Sequence, residues 1–110
     1  FSFDFSLANE LEFSKSICTG EVKIPSFFLS HERSICNHEY CKTHALTHIC
    51  KHFNVPISDT LAIGDGENDI CMIKKSGIGV SFCSSNSMLN IVADYTIKEP
   101  DFNLLIPIIQ

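Results

Sequence analysis

The chain of 110 residues carries a formal net charge of −5 at pH 7, and 45% of its residues are hydrophobic. This length is that of one small domain, and the apolar fraction suffices for a core, which excludes an intrinsically disordered chain. The negative charge argues against binding to nucleic acid or to an anionic membrane surface. No apolar run approaches the roughly 20 residues that a membrane-spanning helix requires. We therefore expect a folded domain with no nucleic-acid or membrane partner.

The cysteines and the start of the chain bear on the cellular compartment. The chain opens on Phe1 rather than Met, and no basic stretch precedes an apolar signal core, so we expect a fragment of a longer protein. The six cysteines fall largely within helical or strand patterns, as small buried apolar residues do. We therefore expect free thiols in the reducing cytoplasm rather than disulfides.

The first part of the chain has the pattern of a β-hairpin. Residues 4–11 predict a short strand, and residues 12–17 and 21–28 predict two strands that a turn at Thr19 and Gly20 would separate. Residues 30–39 are polar and irregular, and they predict a loop that leads to the next helix.

The rest of the chain alternates between helices and strands. Apolar residues recur at helical spacing from Tyr40 to Phe53, and Asn54 and Pro56 end this helix. The elements predicted after it are a strand at 60–63, a helix at 68–75, a strand at 78–82, a helical segment at 84–92, a strand at 95–97 and a terminal helix at 102–109. This alternation predicts an α/β fold with a parallel sheet flanked by helices. Ligands bind at the carboxyl ends of such strands, so the residues after Ile63 are the first candidate site.

Residues 64–69 read Gly-Asp-Gly-Glu-Asn-Asp and stand between a predicted strand and a predicted helix. The two glycines permit backbone angles that side chains forbid, and they flank Asp65 at the strand tip. Asp69 follows at the mouth of the next helix. Mg²⁺ takes carboxylate oxygens from few protein ligands and leaves room for water and phosphate, so Asp65 and Asp69 are candidate metal ligands. The alternative is a tight turn and a capped helix, since Asp and Asn are also good caps.

Residues 64–69 resemble the fourth motif of the haloacid dehalogenase (HAD) superfamily. The longer run TLAIGDGENDICMIKKSGIGV at residues 60–80 resembles the phosphoserine phosphatase branch of that superfamily in particular. Residues 8–13 (ANELEF), followed by Thr19 and Gly20, are similar to the same branch, so that essentially the whole chain resembles its C-terminal half. The resemblance implies a Rossmann-like core and an aspartate nucleophile that forms an aspartyl-phosphate, with Mg²⁺ and a lysine neutralising the transferred group. It also implies a small phosphorylated metabolite as substrate, O-phospho-L-serine of serine biosynthesis above all.

The resemblance assigns roles to five residues. Asp65 would be the metal-binding carboxylate, and Asp69 would support the metal shell or orient the lysine. Gly66 and Asn68 would line the phosphate pocket. Lys42 fits the third motif of the family, a lysine at a helix N-terminus that contacts the phosphate.

The helical pattern around Lys42 supports this assignment independently. Lys42 shares a helical face with Leu46, Ile49 and Phe53, at steps of four, three and four residues. We expect that face to pack inward, which would direct a charged group at its N-terminal end into a polar pocket. The alternative is a lysine that extends from the rim of the helix into solvent.

The first motif of the family, an apolar strand ending in Asp-x-Asp that supplies the nucleophile, has no match. Asp4 is the nearest candidate, but Ser6 stands in place of the second aspartate. The second motif and the helical cap would also lie upstream of Phe1. We therefore expect residues 1–110 to be the C-terminal part of a HAD core, with an unpaired edge on the strand at 60–63, and to be unstable or inactive without the N-terminal half. The alternatives are a non-catalytic remnant or subunit that pairs with a separate N-terminal half, and a HAD phosphatase of another substrate.

Cysteine and histidine residues crowd positions 36 to 52 and suggest a zinc site. Cys36, Cys41, His44 and His48 offer four plausible ligands. The segment from Cys41 to His48 is predicted to be one continuous helix, which cannot wrap four ligands around one ion. We therefore favour a solvated stripe of His44, His48 and His52 beside small buried cysteines over a zinc site.

Overall fold

The computed structural model describes residues 4–32 and 34–110. Its strands are β1 (Glu10–Ser14), β2 (Ile17–Lys23), β3 (Leu61–Gly64), β4 (Ile78–Phe82) and β5 (Tyr95–Ile97). Its helices are α1 (Lys42–Phe53), α2 (Ile70–Lys75), α3 (Ser87–Val92) and α4 (Ile106–Ile109). Short 3₁₀ turns cover Ser26–Phe28, Ile57–Asp59, Glu67–Asp69 and Phe102–Leu105.

Strands β3, β4 and β5 form a parallel sheet in that order, which confirms the predicted α/β fold. Helices α2 and α3 connect the strands in turn, as parallel pairing requires. One face of the sheet is covered by a buried cluster of Ala62, Ile73 and Leu89. A second cluster packs Leu105 from the C-terminal segment against Val80 and Ile97 of the sheet. Both faces of the sheet therefore contribute to the core.

Strand β3 lies at an edge of this sheet. In the part of the chain that the structure describes, its one partner is β4, with Ile63 opposite Val80. Ile63 is 37% exposed although it belongs to an apolar strand. An open apolar edge of this kind is a surface on which another strand can pair. The unpaired edge expected at residues 60–63 is thus present in the described structure.

The hairpin is present, but the predicted position of its turn was wrong. Strands β1 and β2 pair antiparallel, and the turn between them consists of Lys15 and Ser16, with φ values of 52° and 68°. Positive φ at both central residues is typical of two-residue hairpin turns, whose twist matches that of the strands. Thr19 and Gly20 instead lie within β2, where the register shifts and Gly20 has φ 85°. A bulge and a turn both select glycine, so composition alone did not separate them.

The remaining boundaries differ from the predictions in smaller ways. The strand predicted at residues 4–11 was wrong, because the first strand begins at Glu10. Helix α1 begins at Lys42 rather than Tyr40, and Asn54 ends it in the left-handed conformation. The expected inward face of α1 is also only partly correct, because Phe53 is 46% exposed. None of the helices in the described residues has the length and apolar character needed to cross a bilayer.

Candidate active site

The loop after β3 folds around the carboxylate of Asp69, which is 3% exposed. Oxygen Oδ2 accepts hydrogen bonds from the backbone N–H groups of Asp65 at 3.0 Å and Gly66 at 3.2 Å. Oxygen Oδ1 accepts a hydrogen bond from Lys42 Nζ at 2.5 Å. One carboxylate therefore fixes the backbone of the loop and the position of the lysine together.

Lys42 reaches this carboxylate from the first residue of α1. The residue before it, Cys41, caps the helix, and its sulfur accepts a hydrogen bond from the N–H of Thr43 at 3.4 Å. The Lys42 side chain is 43% exposed, and it lines a cavity of about 970 Å³ together with Asn68. The ammonium group is thus held by Asp69 on one side and faces an open cavity on the other.

The carboxylate of Asp65 is exposed, whereas its backbone is held in place. Ser84, which follows β4, donates a hydrogen bond from its hydroxyl to the backbone oxygen of Asp65 at 2.7 Å. Ser84 was predicted only as part of a turn and cap at the start of the helical segment at residues 84–92, with no role at the site. Its position at the carboxyl end of the strand beside β3 was the signal that could have found it, because parallel strands end at the same edge. The structure therefore brings Lys42, Asp65, Gly66 and Asp69 together at the predicted edge.

Gly64 is required by the close approach of Asp69. A Cβ atom placed on Gly64 would lie 2.4 Å from the Cβ of Asp69 and 2.7 Å from its Oδ2. These separations are far below van der Waals contact. Any side chain at this position would displace the carboxylate from the N–H groups of Asp65 and Gly66, whose hydrogen bonds it accepts.

Gly64→Ala is therefore expected to lower the free energy of unfolding by about 1–3 kcal/mol, as overpacking of a filled site does. Urea denaturation followed by circular dichroism measures this change. Gly66→Ala is the matched control, because a Cβ there would meet its nearest atom, Asn68 Oδ1, at 3.1 Å. Equal losses in the two variants would contradict the steric explanation.

The pKa of the Asp69 carboxyl reflects two opposing effects. Burial raises this pKa, but the hydrogen bond from Lys42, those from the N–H groups of Asp65 and Gly66, and the charge of Lys42 outweigh it. The net result is a pKa below the ordinary value of 3.8. The ionised carboxylate is therefore favoured in the folded state over the unfolded state.

The lowered pKa of Asp69 predicts the direction of a pH effect on stability. A carboxyl whose pKa is lower in the folded state stabilises the fold at pH values above its unfolded pKa, and this stabilisation is lost as the pH falls through the folded pKa. The difference in unfolding free energy between the wild type and Asp69→Asn should therefore begin to shrink below about pH 5 and go on shrinking as the pH falls through the ordinary value of 3.8 towards the lower folded pKa. Urea denaturation at several pH values tests this. A difference that stays constant or grows on acidification would contradict it.

The expected stripe of solvated histidines is partly wrong, because His44 is 3% exposed. Its Nε2 lies 2.7 Å from the backbone oxygen of His38, and its Nδ1 has no hydrogen-bond partner among the described residues. The loop before α1 folds over the first turn of the helix and covers His44, whereas His48 and His52 are exposed. Helical spacing showed which residues share a face but not which part of that face a loop would cover.

The expectation of small buried cysteines is also largely wrong. Cys50 is buried, whereas Cys18 and Cys83 are exposed. The other three are half-buried: Cys36, Cys41 and Cys71. All six are free thiols, as predicted.

A family model described as haloacid dehalogenase-like hydrolase matches residues 10–103. The chain belongs to this family. The phosphoserine phosphatase of Methanocaldococcus jannaschii is 32% identical over 107 residues, which are 97% of this chain and 46% of that protein. The phosphoserine phosphatase of Streptococcus thermophilus is 45% identical over 54 residues, which are 49% of this chain and 25% of that protein.

Solved structures agree with this assignment. A substrate-bound phosphoserine phosphatase superposes with a TM-score of 0.77 at 28% identity, over 97% of this chain and 46% of that one. The predicted HAD-like α/β core is thereby confirmed, and so is the resemblance to phosphoserine phosphatases. The chain matches over nearly its full length to less than half of the M. jannaschii relative and of the substrate-bound structure, and the shorter match to the S. thermophilus relative covers a quarter of that protein.

Proposed function

We propose that the complete protein hydrolyses a small phosphomonoester, with O-phospho-L-serine as its substrate, through an aspartyl-phosphate. The observation that carries this proposal is the Lys42–Asp69 pair, held by the loop after β3 at the carboxyl edge of the sheet. The similarity to relatives named phosphoserine phosphatase supports the choice of substrate.

Lys42 is proposed to bind the phosphoryl group. An ammonium carries three N–H donors, so the hydrogen bond to Asp69 leaves two for phosphate oxygens in the adjoining cavity. A positioned positive charge stabilises the negative charge that the phosphoryl group carries in the transition state. Asp69 would orient this group, since both of its oxygens already accept hydrogen bonds.

Gly66 and Asn68 are proposed to line the phosphate pocket. Asn68 lines the same cavity as Lys42, so its amide can face a substrate there. The N–H of Gly66 is already donated to Asp69 Oδ2. Gly66 would therefore contribute by leaving space for the phosphate rather than by donating a hydrogen bond.

The donor set fits Mg²⁺ bound mainly through Asp65. The Asp65 carboxylate is exposed at the strand end, and Mg²⁺ favours one or two carboxylates together with water and phosphate oxygens. The engaged oxygens of Asp69 favour a supporting role for that residue over direct ligation. When bound, Mg²⁺ would neutralise charge on the phosphoryl oxygens.

The nucleophile is proposed to come from outside these residues. No Asp-x-Asp sequence occurs in the chain, and β3 has a free edge in the described structure. A strand that pairs there would place its last residues beside the loop of residues 64–69. Its first aspartate would form a bond to phosphorus as the bond between phosphorus and the seryl oxygen breaks, and the second carboxyl of the Asp-x-Asp motif would give its proton to that oxygen. The resulting carboxylate would then take a proton from the water that attacks phosphorus and releases phosphate from the aspartyl-phosphate.

Phosphate release from O-phospho-L-serine tests this proposal. The chain is assayed alone and joined to the N-terminal part of the M. jannaschii relative, with and without Mg²⁺. The chain alone should be inactive, and the joined protein should show Mg²⁺-dependent release. Asp65→Asn should weaken the apparent affinity for Mg²⁺ by roughly tenfold or more, because it removes a ligand charge. Asp59→Asn, an exposed aspartate in the turn before β3, is the matched control.

Other outcomes of the same assay would each support a different account of the chain. Phosphatase activity of a monomeric, cooperatively melting 110-residue chain would show that the nucleophile lies within it. A folded joined protein that cleaves other phosphomonoesters but not phosphoserine would indicate a HAD phosphatase of another substrate. A folded joined protein with no activity on any phosphomonoester would favour the non-catalytic remnant.

A further inference from the structure

Three cysteines and a histidine meet beside the Lys42–Asp69 pair. The cluster consists of the Sγ atoms of three cysteines and one ring nitrogen of a histidine, all within 4.8 Å of one another: Cys36, His38, Cys41 and Cys71. These residues come from three separate parts of the chain. Cys36 and His38 belong to the loop before α1, Cys41 caps α1, and Cys71 is the second residue of α2.

The chemistry of this cluster is that of a structural zinc site. Thiolate sulfur and imidazole nitrogen are the ligands of tetrahedral zinc, whereas Mg²⁺ and Ca²⁺ require oxygen. With Zn–S bonds of about 2.3 Å, the ligand atoms of a tetrahedral site lie about 3.8 Å apart. The widest pair of the cluster would therefore need to close by about 1 Å, which side-chain rotation can supply.

We propose that Cys36, His38, Cys41 and Cys71 bind one Zn²⁺ as a Cys₃His structural site. This set differs from the one considered from sequence, because His38 and Cys71 take the places of His44 and His48. The objection that one helix cannot surround an ion no longer applies, since a loop, a helix cap and a second helix supply the ligands. Each thiol releases its proton to solvent as its Zn–S bond forms, and His38 binds through one neutral ring nitrogen.

Buried polar groups around the cluster are arranged to support it. Thr43, which is 0% exposed, donates from its N–H to Cys41 Sγ at 3.4 Å and from its hydroxyl to Cys71 Sγ at 3.0 Å. Buried His44 lies 2.7 Å from the backbone oxygen of His38 and so holds the loop that carries this ligand. Hydrogen bonds to ligand atoms and their backbone are what orient the ligands of metal sites.

The position of the cluster gives the metal a structural role. Cys41 immediately precedes Lys42, and Cys71 lies two residues after Asp69. A zinc ion would link the N-terminus of α1 to the start of α2, the two segments between which the Lys42–Asp69 hydrogen bond runs. These contacts would hold a zinc ion whether or not the complete protein is a phosphatase.

Metal content and cobalt spectroscopy test the site. The chain, alone and joined as above, is purified under reducing conditions without chelator and assayed for zinc by mass spectrometry. We expect one zinc per chain and, after replacement with Co²⁺, strong visible d–d bands together with thiolate-to-cobalt charge transfer. Cys36→Ser and Cys71→Ser should lose zinc and change these bands. Cys18→Ser and Cys83→Ser are the matched controls, because these exposed cysteines lie outside the cluster.

Thermal melting provides a second measurement. A chelator should lower the melting temperature of the wild type and of the two control variants but not that of the cluster variants. Should a cysteine variant fail to fold, His38→Ala removes an exposed ligand from the loop and should weaken zinc binding. Absence of zinc with unchanged melting after Zn²⁺ addition would overturn the proposal. So would a disulfide within the cluster in the purified protein, or equal zinc uptake by cluster and control variants.

Discussion

Lys42→Met in the joined protein is expected to lower the turnover of O-phospho-L-serine by about a thousandfold. Methionine retains the length and apolar stem of the side chain but removes the charge and its three N–H donors. Removing one positioned donor to a developing negative charge costs about 10²–10³ in rate, and the lost charge adds to this. Steady-state phosphate release at saturating Mg²⁺ measures the effect.

The matched control for this variant is Lys51→Met. Lys51 is an exposed lysine in the last turn of the same helix, away from the cavity that Lys42 lines. The variant therefore measures how much turnover changes when any lysine is removed from α1. Turnover of the control should stay within about twofold of the wild type, as is usual for surface substitutions. A Lys42→Met variant with unchanged kcat and a raised KM would show that the lysine contributes only to substrate binding.

Asp69→Ala is expected to lower the free energy of unfolding by about 2–4 kcal/mol. The change leaves the N–H groups of Asp65 and Gly66 without their acceptor and Lys42 without its anionic partner. An unsatisfied buried donor costs about 1–3 kcal/mol, and each of these two N–H groups falls towards the lower end because its hydrogen bond is only part-buried. Losing the ion pair with Lys42 adds less to the destabilisation than losing a fully buried pair would, because the lysine side chain is 43% exposed and solvent screens its charge. Urea denaturation at neutral pH measures the loss.

Glu67→Ala is the control for Asp69→Ala. Glu67 is an exposed carboxylate two residues earlier in the same 3₁₀ turn, so its removal should change stability by less than about 0.5 kcal/mol. The loss of unfolding free energy for Asp69→Asn should lie between those of Asp69→Ala and Glu67→Ala, because an amide oxygen can still accept a hydrogen bond from the loop but carries no charge. A loss for Asp69→Ala no greater than that for Glu67→Ala would mean that the loop does not depend on this carboxylate.

The sequence predicted the parallel sheet and the loop after β3 because both depend on local patterns. Apolar runs and glycine-bearing turns are short-range signals, and they placed Asp65 and Asp69 at the edge where the structure has them. The partnership of Lys42 with Asp69 spans 27 residues. It could be expected only from the resemblance to a known family, because helical spacing fixes the face of a residue and not the segment opposite it.

The features that the sequence analysis misplaced depend on contacts between distant or irregular segments. His44 was assigned to a solvated stripe because periodicity does not show that the preceding loop folds over α1. Cys71 lies 35 residues after Cys36, and only the packing of α2 against α1 brings the two together. The turn at Lys15 and Ser16 was missed because it contains neither glycine nor proline, the residues that usually mark a turn.

The two hydrogen bonds that Asp69 accepts from the loop can be followed by the hydrogen exchange of their amide protons. The amide protons of Asp65 and Gly66 exchange with solvent only when these bonds open. The same carboxylate holds Lys42, so protection of two backbone amides reports whether a side chain 23 or 24 residues away in sequence is in place. Hydrogen exchange at these positions can therefore follow the assembly of the site in the absence of substrate, metal or turnover.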